Sequence, residues 1–447
     1  MIPFRSLQVP PQAQRYWIRQ ARIPVCFLPD AFRAVSAKDD GVLVDLLIDQ
    51  ESIAAIEPSR APAPAALPAI DLEARQVWPA LIDMHAHLDK GHVVTRIENP
   101  DGSFAGAREA TTDDRNRHWT AADIRKRMNF GLRCAYAHGV AAIRTHLDSQ
   151  EPDLAQRSWG VFRETREEWR GRIALQAVAL VPIDAFRTPY GMALADLVAE
   201  SGGVLGGVTR ASGGVHSGVL EDIDPLLDTI LRLAAERDLD VDLHVDESGD
   251  PGAAALERVA AAVLRNSFKG RVVCGHCCSL SVQPEAQRRR TIDLCAEAGI
   301  AVVTLPTVNL YLQDREGGRT PRWRGVAPIQ EMRRGGISVA IGGDNCRDPF
   351  HAYGDHDMVE TFRQAVRIMH LDHPFGDVPA LAGPVPAAII GAAPLGNIRV
   401  GGPARLILFS ARTLNELICR PQSDRLVIDR GRQVAEELPD YAELDQL

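Results

Sequence analysis

Residues 77–90, VWPALIDMHAHLDK, close an apolar run on two histidines one residue apart and then add an acid and a base. Alternate side chains of an extended strand share a face, so His85 and His87 point one way while Met84 and Ala86 point the other. Seven comparable runs follow: AAIRTHLD (141–148), IALQAVAL (173–180), GVLGGVTR (203–210), VDLHVDE (241–247), RVVCGHC (271–277), IAVVTLP (300–306) and ISVAIGGD (337–344). After a longer first gap they recur at roughly 30–37-residue intervals, with helix-like sequence between them. TAADIRKRMNFGLRCAYAHG (120–139) has Thr120 placed to cap its start and Gly139 to stop it, and DIDPLLDTILRLAAERD (222–238) is similarly amphipathic. Eight strands alternating with helices predict an α/β fold, a (β/α)8 TIM barrel.

The flanks read differently. Residues 15–75 hold short strand candidates broken by APAPAALPA, and residues 400–435 offer ARLILF and RLVIDRGRQVA around turn signals. Neither flank alone buries much, so residues 1–75 and 400–447 are expected to pair into a small β-sandwich beside a barrel of residues 76–399. The Pro/Ala stretch 57–69 would be the linker. Residues 88–120 are long and polar for a strand-to-helix connection, and in such a barrel a loop of this kind covers the active site.

The 447-residue chain is 45% hydrophobic and 24% charged, with a formal net charge of −9. That balance opposes a polyanion-binding surface and favours a small-molecule partner over nucleic acid. No apolar stretch approaches the roughly 20 residues that span a bilayer, and the N-terminus lacks a signal-peptide pattern, so a cytoplasmic location with no membrane partner is expected. Nothing here specifies or excludes a homo-oligomer. Eight cysteines are too sparse for a disulfide framework. Cys274 and Cys277 form a C-x-x-C, but the Pro and upstream H-x-E of a cytidine-type deaminase zinc site are missing, which leaves buried thiols at a strand end.

Barrel enzymes carry their chemistry at the C-terminal ends of the strands. Here His85 and His87 end the first run, His146 and Asp148 the second, His244, Asp246 and Glu247 the fifth, His276 the sixth and Asp344 the eighth. His85, His87, His244 and Asp344 together make a three-imidazole, one-carboxylate set suited to one Zn²⁺ or Fe²⁺ ion. Glu247 stands three residues after His244, on the wrong face for a continuing strand, so it belongs where the chain has turned into the loop. There a carboxyl can carry protons without binding the metal. His276 fits a ligand for a second metal, a polarising group or a core histidine. Asp344 follows two glycines that let the backbone come close, and fits a ligand that also takes a proton from the attacking water. His146 and Asp148 are read as groups that orient the ligands or line the pocket. Lys90 is read as a loop or ion-pair residue, and His92, His216, His351 and His356 fall in rim loops without an assigned role.

These residues resemble the amidohydrolase superfamily, and within it the cytosine deaminase-like branch. The resemblance spans most of the chain through HAHLDK, RTHLD, LHVDE, Gly275-His276, NLYLQDREGGRTPRWRGVAPIQEM and GGDNCRDPF. It implies metal binding by His85, His87, His244 and Asp344, proton shuttling by Glu247, and assistance to hydroxide attack by His276. Binuclear members bridge their metals with a carboxylated lysine on the fourth strand, and GVLGGVTR has none, so a single-metal site with a catalytic His276 is favoured. Relatives that remove N-alkyl groups from triazines lack the acid at the Glu247 position. The glutamine with which cytosine deaminases read their base after strand three is absent from AVALVPIDAF, and Asn345 replaces the usual acid after Asp344. The function expected is metal-dependent hydrolytic deamination of a small, cytosine-like nitrogen heterocycle, with Phe104 and Phe350 as pocket walls and Asn345 as a hydrogen-bonding group. The competing expectations are hydrolysis of a cyclic amide or N-substituted ring in the same site, and a non-catalytic barrel scaffold.

Overall fold

The computed structural model describes residues 4–445 except 5–6, 11–13, 36–40, 60–66, 422–423 and 436. Most of the Pro/Ala stretch 57–69 therefore lies outside the described residues, and its described ends, 57–58 and 69, belong to two strands of one sheet, so it joins strands of that sheet instead of leading into the barrel as expected. The chain separates into two compact units, one of residues 1–83, 133–142 and 357–438, the other of 84–132, 143–356 and 439–447.

The first unit is built on two four-stranded sheets. In one, β1 (Arg15–Ile23), β2 (Val42–Asp49), β3 (Ser52–Pro58) and β4 (Ala69–Asp71) lie in the order β3-β2-β1-β4. In the other, β5 (Val77–Pro79) joins three C-terminal strands, Leu406–Leu408, Leu426–Asp429 and Arg432–Gln433. Both flanks thus contribute sheet to this unit, but the strand that pairs with the C-terminal ones is β5, from the run expected in the barrel, and the unit also takes in residues 133–142 and 357–399. Trp78 sits at the centre, fully buried, with the rings of Phe27, Phe362 and Phe409 at 5.2, 5.1 and 5.8 Å. Tilted and edge-to-face aromatic contacts of this kind add to plain area burial.

The barrel strands are β6 (Leu81–Ala86), β7 (Val140–Asp148), β8 (Ala174–Leu180), β9 (Leu205–Val208), β10 (Val241–Val245), β11 (Val272–His276), β12 (Ala301–Thr304) and β13 (Val339–Ile341). They form a three-stranded segment, β6-β7-β8, and a five-stranded one, β13 to β9. Parallel bridges Val178–Val204 and Ala86–Asp344 join the two segments into a ring of eight. The run read from sequence as one strand, VWPALIDMH, is split between the two sheets. The reason is local: Ala80 N–H donates to Arg405 O and Leu81 N–H to Gly139 O, so the ladder changes partner just after Pro79.

Inside the barrel, Arg144 on β7 donates to Asp242 on β10 at 2.9 Å and to Gln176 on β8. Both ions are buried, and burial pushes the Asp242 carboxyl up to about 7 despite the arginine. Removing one partner of such a pair strands the other, at a cost of about 3–5 kcal/mol. Arg144→Met is therefore expected to lower the unfolding midpoint markedly at pH 8. Because the Asp242 pKa is raised in the fold, its charge penalty disappears as pH falls through about 7. Melting curves should show a smaller loss at pH 5.5 than at pH 8; an equal loss would locate the defect in packing instead.

The gap from 88 to 120 is not all loop. It contains α1 (Phe104–His118), capped by Ser103, whose hydroxyl accepts from Gly106 N–H at 2.9 Å, and α2 (Ala121–Ala137) follows. Few apolar residues punctuate FAGAREATTDDRNRH, so it carries no hydrophobic stripe by which to recognise a helix. Thr120 caps α2 as its position predicts, accepting from Asp123 N–H at 3.2 Å. Cys274, Cys277 and Cys278 are free, buried thiols at the end of β11. No helix among the described residues is long and apolar enough to cross a membrane.

Candidate active site and metal centre

Reactive side chains cluster where the barrel ladder stops. β6 carries His85 and ends just before His87, β10 carries His244, β11 ends on His276, and Asp344 follows β13. Three of these exits use left-handed backbone, with φ of 51° at Asp246, 69° at His276 and 67° at Asp344. Non-glycine residues adopt that region rarely, and it turns the chain abruptly. At Asp246 the turn releases Glu247 from strand alternation, as its spacing from His244 demands. Two glycines make room for His85: a Cβ on Gly275 would stand 3.0 Å from its Cε1, and one on Gly342 would stand 2.9 Å from its Cβ.

His85 Nε2 lies 3.6 Å and His87 Nε2 3.1 Å from Asp344 Oδ1, and His244 Nε2 lies 3.4 Å from His87 Nε2. All four residues are at most 5% exposed. Both oxygens of Asp344, with Nδ1 of His87 and of His244, are buried without a hydrogen-bond partner. Buried polar atoms are nearly always satisfied. Three imidazoles and a carboxylate converging in this way fit a divalent cation, which supplies the missing partner for the acid and uses the ring lone pairs.

Burial holds His85, His87 and His244 well below the ordinary histidine value of 6.5. They keep free nitrogens at acidities where an exposed histidine takes up a proton. Metal affinity is therefore expected to change little between pH about 7.5 and about 6, since protons do not compete there for depressed imidazoles. Calorimetric titration of zinc into stripped protein tests this; a steep fall across 6.5 would show ordinary histidines.

Glu247 sits beside this cluster, Oε1 3.4 Å from His276 Nδ1, and the ligand-type atoms of Glu247, His276 and Asp344 lie within 4.8 Å of one another. Burial raises its carboxyl well above the usual range, and Asp344 adds to the effect. Burial likewise lowers His276 to about 3, so the ring is neutral. Asn309, on the helix Pro306–Leu312, lies with its amide nitrogen 3.0 Å from His276 Nδ1. With the amide donating, the ring proton rests on Nε2, which is buried and has no protein partner. An unprotonated Nδ1 beside Oε1 agrees with a carboxyl that keeps its proton.

The remaining sequence candidates fall into two groups. Phe104 and Phe350 meet edge to face at 5.4 Å; Phe350 lines a small cavity partly open to solvent, and Phe104 is not among its lining residues. Asn345 turns its amide toward Asp348, donating at 2.7 Å, and is not among the cavity's lining residues. His146 stacks 3.9 Å from His85, with both nitrogens buried and unpartnered, and Asp148 lines the cavity while accepting from Arg115 at 3.3 Å.

Several lining residues escaped the sequence reading. Lys90 is only 6% exposed, makes no ion pair among the described residues, and holds Nζ 4.9 Å from the Phe350 ring centroid. Of the two readings, loop or ion-pair residue, the turn after β6 fits the first, and the side chain lines the cavity. Gln150 and Arg210 also line the cavity. His216 is 5% exposed, its ring 6.4 Å from Phe104, with Nε2 unpartnered. The signal available was position: Gln150 and Arg210 stand just beyond β7 and β9. Leu180, Val181 and Pro182 form an apolar wall of the cavity.

The model of the Amidohydrolase family matches residues 194–435. The pterin deaminase of Rhizobium rhizogenes strain K84 is 49% identical over 442 residues, 98% of each chain. The N-isopropylammelide isopropyl amidohydrolase of Pseudomonas sp. strain ADP is 24% identical over 383 residues, 82% of this chain and 88% of that one. Among solved structures, 5-methylcytosine deaminase from Klebsiella pneumoniae, liganded with 5-fluorocytosine, superposes with a TM-score of 0.79 at 22% identity, covering 95% of this chain and 98% of the other. The chain belongs to the amidohydrolase family, and its fold is the barrel with an attached β-sheet domain found in that family.

Proposed function

We propose that this chain is a metal-dependent hydrolytic deaminase whose substrate is an aminated bicyclic heterocycle of the pterin class. The observation that carries the reading is Glu247, a buried carboxyl with raised pKa set against His276 and Asp344. The near full-length similarity to a pterin deaminase supports the substrate class.

In this reading His85, His87, His244 and Asp344 would hold one divalent ion, zinc or iron, which when bound would supply the Lewis acidity that makes water a hydroxide nucleophile near neutral pH. Asp344 takes the proton of the attacking water. Glu247, protonated at the start, gives its proton to the ring nitrogen next to the carbon under attack and then serves the departing ammonia. His276 presents Nε2–H to the oxygen as charge develops on it, and Asn309 keeps that tautomer. Phe350 and the Leu180–Pro182 wall hold the ring, while Gln150, Arg210 and Lys90 are placed to meet its polar edge.

The test is ammonia release from pterin, cytosine, a purine and an N-alkylaminotriazine by metal-loaded protein. The expected result is fastest turnover on pterin. Release of an alkylamine from the triazine with no ammonia from any aminated ring would replace this reading by hydrolysis of N-substituted rings.

A further inference from the structure

Away from the active-site cluster, a second group of metal-binding side chains meets within the barrel unit. His92 lies in the loop after β6, and Cys346 and His356 lie in the loop after β13. Their exposures are 2%, 4% and 7%, and one ligand atom of each lies within 4.8 Å of the others. The two Nε2 atoms are 3.2 Å apart. Zinc–nitrogen bonds of about 2.0–2.1 Å in tetrahedral geometry put neighbouring nitrogens about 3.3 Å apart, so this spacing is also the edge of a metal site. A hydrogen bond between the two rings also accounts for the Nε2 atoms, and the Cys346 thiol takes a backbone hydrogen bond from His356; the case for an ion is the convergence of three ligating side chains at this spacing.

The surroundings keep space around these groups. A Cβ on Gly131 of α2 would stand 2.8 Å from His356 Nε2, and one on Gly354 would stand 3.3 Å from Cys346 Sγ. Both histidines are held in left-handed backbone, φ 63° at His92 and 53° at His356, a conformation that persists only where the surroundings impose it.

We propose that His92, Cys346 and His356 form a second, structural metal site that takes a zinc-class ion, distinct from the catalytic cluster. Two imidazoles and a thiolate are a borderline-soft donor set, which selects zinc over magnesium or calcium. The two loops are already tied by backbone bonds from His92 N–H to Cys346 O at 3.1 Å and from Val93 N–H to Arg347 O at 2.9 Å. An ion at this point would clamp the loop that follows His87 to the loop that follows Asp344.

The test uses the full-length protein, purified and dialysed with zinc, with metal measured by mass spectrometry. Two equivalents per chain are expected for the wild type and one for Cys346→Ser. Cobalt substitution gives an independent readout, because a sulfur-to-cobalt charge-transfer band in the near ultraviolet requires a thiolate ligand and the catalytic set contains none. The band is expected in the wild type and absent from Cys346→Ser. One equivalent of zinc in the wild type, no cobalt band, or a band that survives in Cys346→Ser would each overturn the proposal. Should Cys346→Ser fail to fold, the wild-type stoichiometry and band decide the matter by themselves.

Discussion

Replacing Glu247 by Gln is expected to lower kcat by about two to four orders of magnitude while the protein keeps its catalytic metal. The amide has nearly the carboxyl's shape, so packing against His276 is preserved and only the capacity to give and take a proton is lost. Burial, and then Asp344, raises the Glu247 carboxyl well above its ordinary range, which favours the protonated form. Steady-state ammonia release and metal analysis on the same preparation provide the check. Loss of a metal equivalent in this variant would make Glu247 a ligand instead of a proton carrier, and unchanged turnover would remove it from the reaction.

The other large effect is expected at Asp344. Asp344→Ala removes the carboxylate that faces His85 and His87 and leaves only neutral imidazoles in the cluster. Both metal retention and proton acceptance should suffer, so turnover should fall by more than in the Glu247 variant, beyond about four orders of magnitude. Chelation of the wild-type protein should abolish activity in the same way, and readdition of zinc or iron should restore it. Stability offers a second readout: at free metal about a hundredfold above Kd, binding contributes about 2.7 kcal/mol to the folded state, so stripping the ion should lower Tm. A stripped protein with full activity would show that this cluster is not the catalytic centre.

Much of this architecture was legible because the chain repeats one physical unit. Each buried parallel strand needs an apolar run, and each run ends where the barrel opens, so reactive residues at run ends mark one face before any coordinates exist. His85, His87, His244, His276 and Asp344 were visible for that reason. Glu247 stood out by its offset from His244, and the left-handed residue Asp246 is the device that makes the offset work. α1 was missed because its residues lack an apolar stripe and its start is signalled mainly by Ser103. Lys90 stands in the turn after β6, consistent with its reading as a loop residue, whereas its burial against Phe350 is a tertiary fact.

Within VWPALIDMHAHLDK, the sequence by itself determined that two imidazoles share a strand face, since side-chain alternation is a property of the backbone alone. It also determined, through spacing and the glycines before Asp344, that partners for them exist elsewhere in the barrel. Only the tertiary structure decided that the strand breaks after Pro79 to serve two sheets, that Gly275 and Gly342 hollow out the space for His85, and that Lys90, Gln150 and Arg210 share one cavity. Those outcomes depend on which surfaces meet across long sequence separations. Local pattern encodes the face a residue takes, whereas its neighbours are set by closure of the barrel.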